Sequence, residues 1–242
     1  MAFALNAVSY LAMIVVLARW RPAMTPPVRV PIGPAIVTGI AFCVRSSSIA
    51  RVLLRGLVFG FGAVAFQALL PMVVRTQLHG NQISFGLEVG AFGLGSILSA
   101  LFVSKLRRRF GSEAVVGANT VVYVAAQLLL SSVHSLAPAM VAALIGGVGW
   151  VAVMISLNVA IQLRSPEAIL ARCLSIYQAV AFGGMALGAW AWGALADRVG
   201  LVASLRLAAC WLTLTMIMRL IAPMPTREEG RIEPVEETHE PA

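Results

Sequence analysis

Charged side chains are scarce in this sequence. Only 12% of its 242 residues are Asp, Glu, Lys or Arg, while 60% are hydrophobic. A soluble domain of this length usually has about twice that charged fraction. The mean hydropathy is +0.89. A chain with so few charges cannot cover its surface with ionised groups, and this excludes an ordinary water-soluble globular domain.

Cysteine and histidine are also sparse, and common enzyme motifs do not occur. The three cysteines, Cys43, Cys173 and Cys210, are scattered and have no CxxC spacing, so we expect free thiols and no metal site. His79 and His134 fall in predicted loops, and the third histidine lies near the C-terminus. The sequence contains no HExxH, no GxSxG and no GxxxxGK followed by Ser or Thr. We therefore expect no enzyme activity, no cofactor and no bound metal.

Long apolar runs are what the sequence does contain. A helix needs about 20 apolar residues to cross a bilayer, and a helix satisfies its own backbone polar groups in lipid. The alternating pattern of a membrane barrel is missing. The predicted fold class is therefore an all-α integral membrane protein. The predicted spans are residues 1–18, 50–74, 83–104, 114–132, 139–163, 174–196 and 201–222.

Two segments do not fit a membrane span. Residues 19–49 are rich in Pro near their start, and residues 35–44 have an amphipathic pattern. We expect this segment to be a cytoplasmic connector whose short helix lies along the inner membrane surface. The apolar side of that helix consists of Ile36, Val37, Ile40 and Val44. Residues 223–242 contain six Glu and few apolar residues, which predicts a disordered cytoplasmic tail.

Lys and Arg are unevenly divided between the two sides of the predicted membrane. Fifteen of the 18 lie on the side of the connector, and only Arg75, Arg198 and Arg206 lie on the other side. Because Lys and Arg are concentrated in cytoplasmic loops, we expect the N-terminus outside and the C-terminus inside. The basic residues flank apolar runs, so the net charge of +8 indicates membrane orientation and not nucleic-acid binding.

Several short motifs occur in a fixed order along the chain. They are RVLLR at 51–55, LLP at 69–71, GW at 149–150, SLNVA with Gln162 at 156–162, AR at 171–172, LSIYQ at 174–178, GGMALG at 183–188, WG at 192–193 and AD at 196–197. This ordered series resembles the bacterial enterobactin-exporter-like group of the major facilitator superfamily. The resemblance covers residues 2 to about 222.

The resemblance implies twelve membrane helices and secondary active export of a small molecule across the bacterial inner membrane. Residues 1–18 then correspond to the sixth helix of the family, and residues 50–222 to its six-helix C-terminal half. We expect the first five helices to be missing, so that a separate N-terminal half or a second copy is a partner. A half-transporter subunit that needs a partner chain and a non-transporting membrane scaffold remain alternatives.

One acidic residue, Glu88, lies well inside a predicted span. It is about five residues from the end of its helix, or roughly 7–8 Å, at a position where the resembled group usually has an apolar residue. Its helical face carries Ser84, Ala91, Gly95 and Ser99, so the carboxylate should point into the bundle. An acid inside a membrane span suggests a coupling role, and the alternative is a side chain that reaches outer water.

Buried amides are the second set of candidates. The superfamily lines its cavity with the first and fourth helices of each half, which implies a cavity position for Gln67 and Asn158. Gln178 is a further candidate, and hydrogen bonding between helices is the alternative for all three. Asn119, Tyr123 and Gln127 share a face of the third helix of this half, where we expect packing roles.

A basic cluster follows the second helix of this half. It consists of Lys105, Arg107, Arg108 and Arg109. The superfamily has a Gly- and Asp-containing basic loop there, and this copy lacks the acid and the glycine. The resemblance implies a cytoplasmic latch, and a topology anchor is the alternative. Glycine pairs four residues apart, at 56 and 60, 86 and 90, and 184 and 188, predict close helix packing.

Overall fold

The computed structural model describes residues 2–19 and 32–217. Every regular element in those ranges is a helix, which confirms the predicted all-α fold class. Four of the helices are long and apolar enough to cross a membrane. The Pro-rich part of the predicted connector and the predicted acidic tail lie outside the described residues.

The first helix, α1 (Ala2–Arg19), belongs to a separate unit that ends at Ala35. Its 18 residues rise by about 27 Å, which is close to the hydrocarbon thickness of a bilayer. The second unit contains most of α2 and all later helices. Its elements are α2 (Ile32–Arg45), α3 (Ser47–Met72), α4 (Gln82–Leu130), α5 (Leu136–Gln162), α6 (Leu170–Val199) and α7 (Leu201–Thr215).

Helix α4 contains a break at Gly111, whose φ of 82° and ψ of 159° are not helical. We call residues 82–110 α4a and residues 112–130 α4b. The sequence predicted that a loop begins after residue 104, and this was wrong, because α4a continues to Phe110. Leu, Lys and Arg have high helix propensity and prolong the helix. The helix ends at Gly111, because a residue with a Cβ rarely adopts the positive φ that this break has.

Helices α3 and α6 approach each other through glycines. A Cβ added at Gly184 would lie 2.6 Å from the carbonyl oxygen of Leu57, and one at Gly188 would collide with the carbonyl of Phe61. Gly56 and Gly60 face Tyr177 and Ala181 of α6 in the same contact. These two pairs therefore pack as predicted, because only a hydrogen atom fits between the backbones.

The third predicted pair, Gly86 and Gly90, does not pack. A Cβ at either position would have no atom of the described residues within 4 Å. Helices α4a and α5 instead meet one or two turns further along, where a Cβ at Gly95 or Gly147 would collide with a carbonyl oxygen of the other helix. A glycine pair with a spacing of four residues therefore packs closely only where its face meets a neighbouring backbone.

Aromatic rings fill the centre of the second unit. The ring of Tyr123, on α4b, lies 5.9 Å from that of Phe59, 5.8 Å from that of Phe66 and 6.1 Å from that of Trp150. Its hydroxyl donates to the carbonyl oxygen of Ala63 at 2.7 Å. Gln127, one turn further along α4b, donates to the carbonyl oxygen of Leu205 at 3.0 Å. The predicted packing role of these two α4b residues is confirmed.

Helix α2 extends beyond the predicted stretch at 35–44. Its residue Gly39 packs on α6, where an added Cβ would lie 3.2 Å from Ile176 and 3.3 Å from Arg172. The predicted apolar side remains exposed, with fractional exposures from 48% to 71% for Ile36, Val37, Ile40 and Val44. The side of the helix that packs on protein is thus the side of Gly39 and Cys43, which are buried. The location of the helix at the inner membrane surface stays a prediction.

Candidate functional site

Glu88 lies in the second turn of α4a, and its helix begins at a well-formed cap. The Asn81 side chain accepts hydrogen bonds from the backbone N–H groups of Ile83 and Ser84, which fixes the start of the helix. Glu88 itself is 0% exposed. Neither carboxylate oxygen has a hydrogen-bond partner among the described residues.

The buried face of α4a continues from Glu88 through small side chains. Ala91, Gly95 and Ser99 are all buried, whereas Leu87 and Val89 are exposed. Among the carboxylates of the described residues, only Glu88 is fully buried. A buried charge without a partner is costly, so this position is stable only with a neutral acid or when water or a ligand approaches.

Gln67 lies in the same part of the bundle as Glu88. The rings of Phe66 and Phe92 are 5.8 Å apart, and both lie 3.4 to 3.5 Å from the position of a Cβ on Gly146. These residues therefore mark one level across α3, α4a and α5. Gln67 is adjacent to that level, and Glu88 is one helical turn away from it. Gln67 is half-buried.

Asn158 and Gln178 lie toward the opposite end of the bundle. Asn158 follows Leu157, which lines one small cavity together with Arg55 and Phe59. The side-chain oxygen of Asn158 accepts a hydrogen bond from Gln162 at 2.6 Å. Gln178 is exposed. The predicted amides are thus divided between two levels, and the structure does not bring all of them together with Glu88.

An ion pair that was not predicted from the sequence joins α3 to α4b at the end of the bundle near Asn158. Arg55 of α3 donates two hydrogen bonds to Glu113 of α4b, at 2.5 and 2.8 Å. The Arg55 side chain is 9% exposed and that of Glu113 is 24% exposed. A bidentate guanidinium–carboxylate pair is among the stronger polar contacts in proteins. It joins the third turn of α3 to the first turn of α4b.

The basic cluster forms the last turns of α4a. Lys105, Arg108 and Arg109 are exposed, and Arg107 is half-buried. None of the four makes an ion pair with a described residue; Arg109 stacks on the ring of Phe110 at 5.3 Å. Cations at the C-terminal end of a helix interact favourably with its dipole. This arrangement is compatible with both the latch and the anchor.

An apolar cleft is lined by residues of α4a and α5, and Glu88 is not one of them. Its volume is about 680 Å³. The lining residues are Gly86, Leu87, Gly90, Ala91, Leu94, Ala137, Met140, Val141 and Leu144. The small residues of α4a leave this side open. In the described part of the chain, no group of three or more His, Cys, Asp or Glu is arranged to hold a metal ion.

Comparison with known proteins adds a family assignment to this geometry. The family model described as a transmembrane secretion effector, of the major facilitator type, matches residues 1–242. A search of curated proteins found no match. The matched range includes every helix of the described residues.

Proposed function

We propose, from the premise that this chain belongs to the transmembrane secretion effector family of the major facilitator superfamily, that it exports a small molecule in an ion-coupled cycle. The family and the apolar helices make the chain a multi-pass membrane transporter protein. The coupling, the direction of transport and the membrane of residence are the proposed parts.

The observation that carries the proposal is the state of Glu88. Its carboxylate is fully buried on one face of α4a and has no hydrogen-bond partner among the described residues. Ionisable residues inside membrane spans are costly, and they commonly serve ion or proton transfer. In the proposed cycle, Glu88 takes up a proton when the bundle opens to one side and releases it when the bundle opens to the other.

The remaining candidates have subordinate roles in this proposal. Gln67, close to the level of Glu88, contacts the substrate, while Asn158 and Gln178 lie along its path at the other end. Lys105, Arg107, Arg108 and Arg109 act as the cytoplasmic latch in one transport state. The protein resides in the bacterial inner membrane, with the N-terminus outside and the C-terminus inside.

Alternating access rocks two helical bundles around a site between them. We propose that this chain supplies one bundle and that a separate N-terminal half or a second copy supplies the other. A membrane scaffold without transport activity is the competing proposal. It is favoured by the two-level arrangement of the amides, which does not form one compact polar site.

The test compares Glu88→Gln with Glu167→Gln in the assembled transporter. Glutamine has the shape of glutamate but cannot exchange the proton, and Glu167 is an exposed acid outside the bundle core. In vesicles, Glu88→Gln should insert normally and lose the dependence of efflux on pH, while Glu167→Gln should keep it. Unchanged efflux by Glu88→Gln at every pH would remove Glu88 from the coupling mechanism.

A further inference from the structure

Two cysteines that are 130 positions apart in the sequence lie side by side in the structure. Cys43 is in the last turn of α2, and Cys173 is in the first turn of α6. They are 1% and 0% exposed, respectively, and both thiols are free. The two thiols lie within hydrogen-bonding reach of one another.

The packing of α2 explains why they meet. Gly39 precedes Cys43 by one helical turn, and it contacts Arg172 and Ile176, which flank Cys173 on the same face of α6. Because Gly39 has no side chain, the two backbones come close at this crossing. The contact therefore holds Cys43 against Cys173, whereas Cys210 is exposed on α7.

We propose that Cys43 and Cys173 form a paired-thiol site that a small-molecule disulfide oxidises to an intramolecular disulfide. One cysteine thiolate attacks the small disulfide and releases one thiol. The second cysteine then displaces the other thiol, so that an Sγ–Sγ bond joins α2 to α6. The small disulfide takes up the two electrons and two protons and leaves as two thiols.

The environment determines when this reaction occurs. Burial, followed by the charge and the hydrogen bond of Cys173, raises the pKa of Cys43 to about 12. The thiol is therefore protonated at neutral pH and protected while α2 is docked, since only the thiolate attacks. Oxidation requires a transient opening of the contact between α2 and α6. Once the disulfide forms, it fixes the connector helix to the base of the bundle.

The experiment uses the full chain in lipid nanodiscs, with oxidised glutathione as the probe. Thiols that remain free are alkylated and counted by mass spectrometry. The wild-type chain has three cysteines, and the count should fall from three to one. Tryptic peptides 30–45 and 173–198 should be linked, and dithiothreitol should separate them. In Cys210→Ser the count should fall from two to zero.

Two single variants complete the test. Cys43→Ser and Cys173→Ser each retain two cysteines, and neither should form an intramolecular link; a thermal melt confirms that both are folded. The proposal is overturned if folded wild-type protein keeps three free thiols or carries only glutathione adducts. It is also overturned if links that include Cys210 are as abundant as the link between peptides 30–45 and 173–198.

Discussion

Two glutamates inside the helical bundle are stabilised in different ways. Glu113 is paired with Arg55 through two hydrogen bonds, whereas Glu88 is more deeply buried and has no such partner among the described residues. An ionised, unpaired carboxylate in the interior costs several kcal/mol. Packing gives no reason to retain an acid at position 88, and this supports a functional role for Glu88 and a structural role for Glu113.

The structural role of the Arg55–Glu113 pair predicts energetic coupling between the two residues. Arg55→Met and Glu113→Gln should each destabilise the bundle, since each removes the charge-assisted hydrogen bonds between these two side chains. The double variant should lose less than the sum of the single losses, by about 1–3 kcal/mol. The free energy of unfolding in mixed detergent micelles measures the four members of the cycle.

Arg198→Met is the matched control for this cycle, because Arg198 is exposed. It should change the free energy of unfolding by less than about 0.5 kcal/mol. Strictly additive losses in the double variant would contradict the pairing of Arg55 with Glu113 in the membrane.

The sequence predicted the burial of Glu88 but not the partner of Arg55. Burial of position 88 follows from the helical period, since Ala91, Gly95 and Ser99 share its face and are buried with it. Glu113 is 58 residues from Arg55, and no local pattern connects them. The available signal was topological: the first and third helices of this half begin on the same side, so charges near their starts can meet.

At the scale of whole helices, the fit between α3 and α6 depends on glycines, which leads to a prediction. In Gly188→Ala the added methyl group would collide with the carbonyl of Phe61, a backbone atom that cannot rotate away. Overpacking of this kind costs about 1–3 kcal/mol. We expect a loss of that size in the free energy of unfolding.

Gly90→Ala is the matched control for this substitution. A methyl group at Gly90 has no described atom within 4 Å, and alanine is the better helix former by about 1 kcal/mol. This variant should be as stable as the wild type or more stable. Equal losses in Gly90→Ala and Gly188→Ala would show that α4a packs on its open side and that the contact between α3 and α6 is not the tighter one.

The positions of the helices were easier to predict than their faces. Hydrophobic runs determine where a span lies, and each predicted span from residue 50 onward overlaps a helix. The end of α4a was misplaced because Lys105 to Arg109 were taken as a loop, although such residues favour helix. The contact of α2 with α6 was not predicted, because small residues such as Gly39, and not the larger apolar residues, lie on the side that faces α6.

At the scale of the whole molecule, orientation is the first property to test. Active alkaline phosphatase requires export from the cytoplasm, so reporters placed at two turns of opposite predicted side should give opposite results. Insertion after Ser132 should give active enzyme, and insertion after Arg164 should give inactive enzyme, because Lys and Arg concentrate on the cytoplasmic side. Activity only after Arg164 would invert the topology, and a fluorescent-protein fusion at each site provides the converse control.

If this chain supplies one of two bundles, as proposed, transport has a clear requirement. A single bundle has no cleft between bundles in which a substrate could be exposed alternately to the two sides. Activity should then depend on a second bundle, whereas membrane insertion and stability should not. If the protein is a scaffold without transport activity, neither the chain alone nor the chain with a second bundle should transport a substrate.

The most direct test measures efflux of a panel of substrates loaded into vesicles. One set of vesicles carries this chain alone, and the other carries this chain with an N-terminal five-helix polypeptide of the family. An imposed pH gradient drives the reaction. We expect efflux that requires the second polypeptide, depends on the pH gradient and is lost in Glu88→Gln. Two results would contradict the claim that this protein is part of an ion-coupled exporter. One is efflux that does not depend on the pH gradient, and the other is no efflux from either set of vesicles despite verified insertion of both chains.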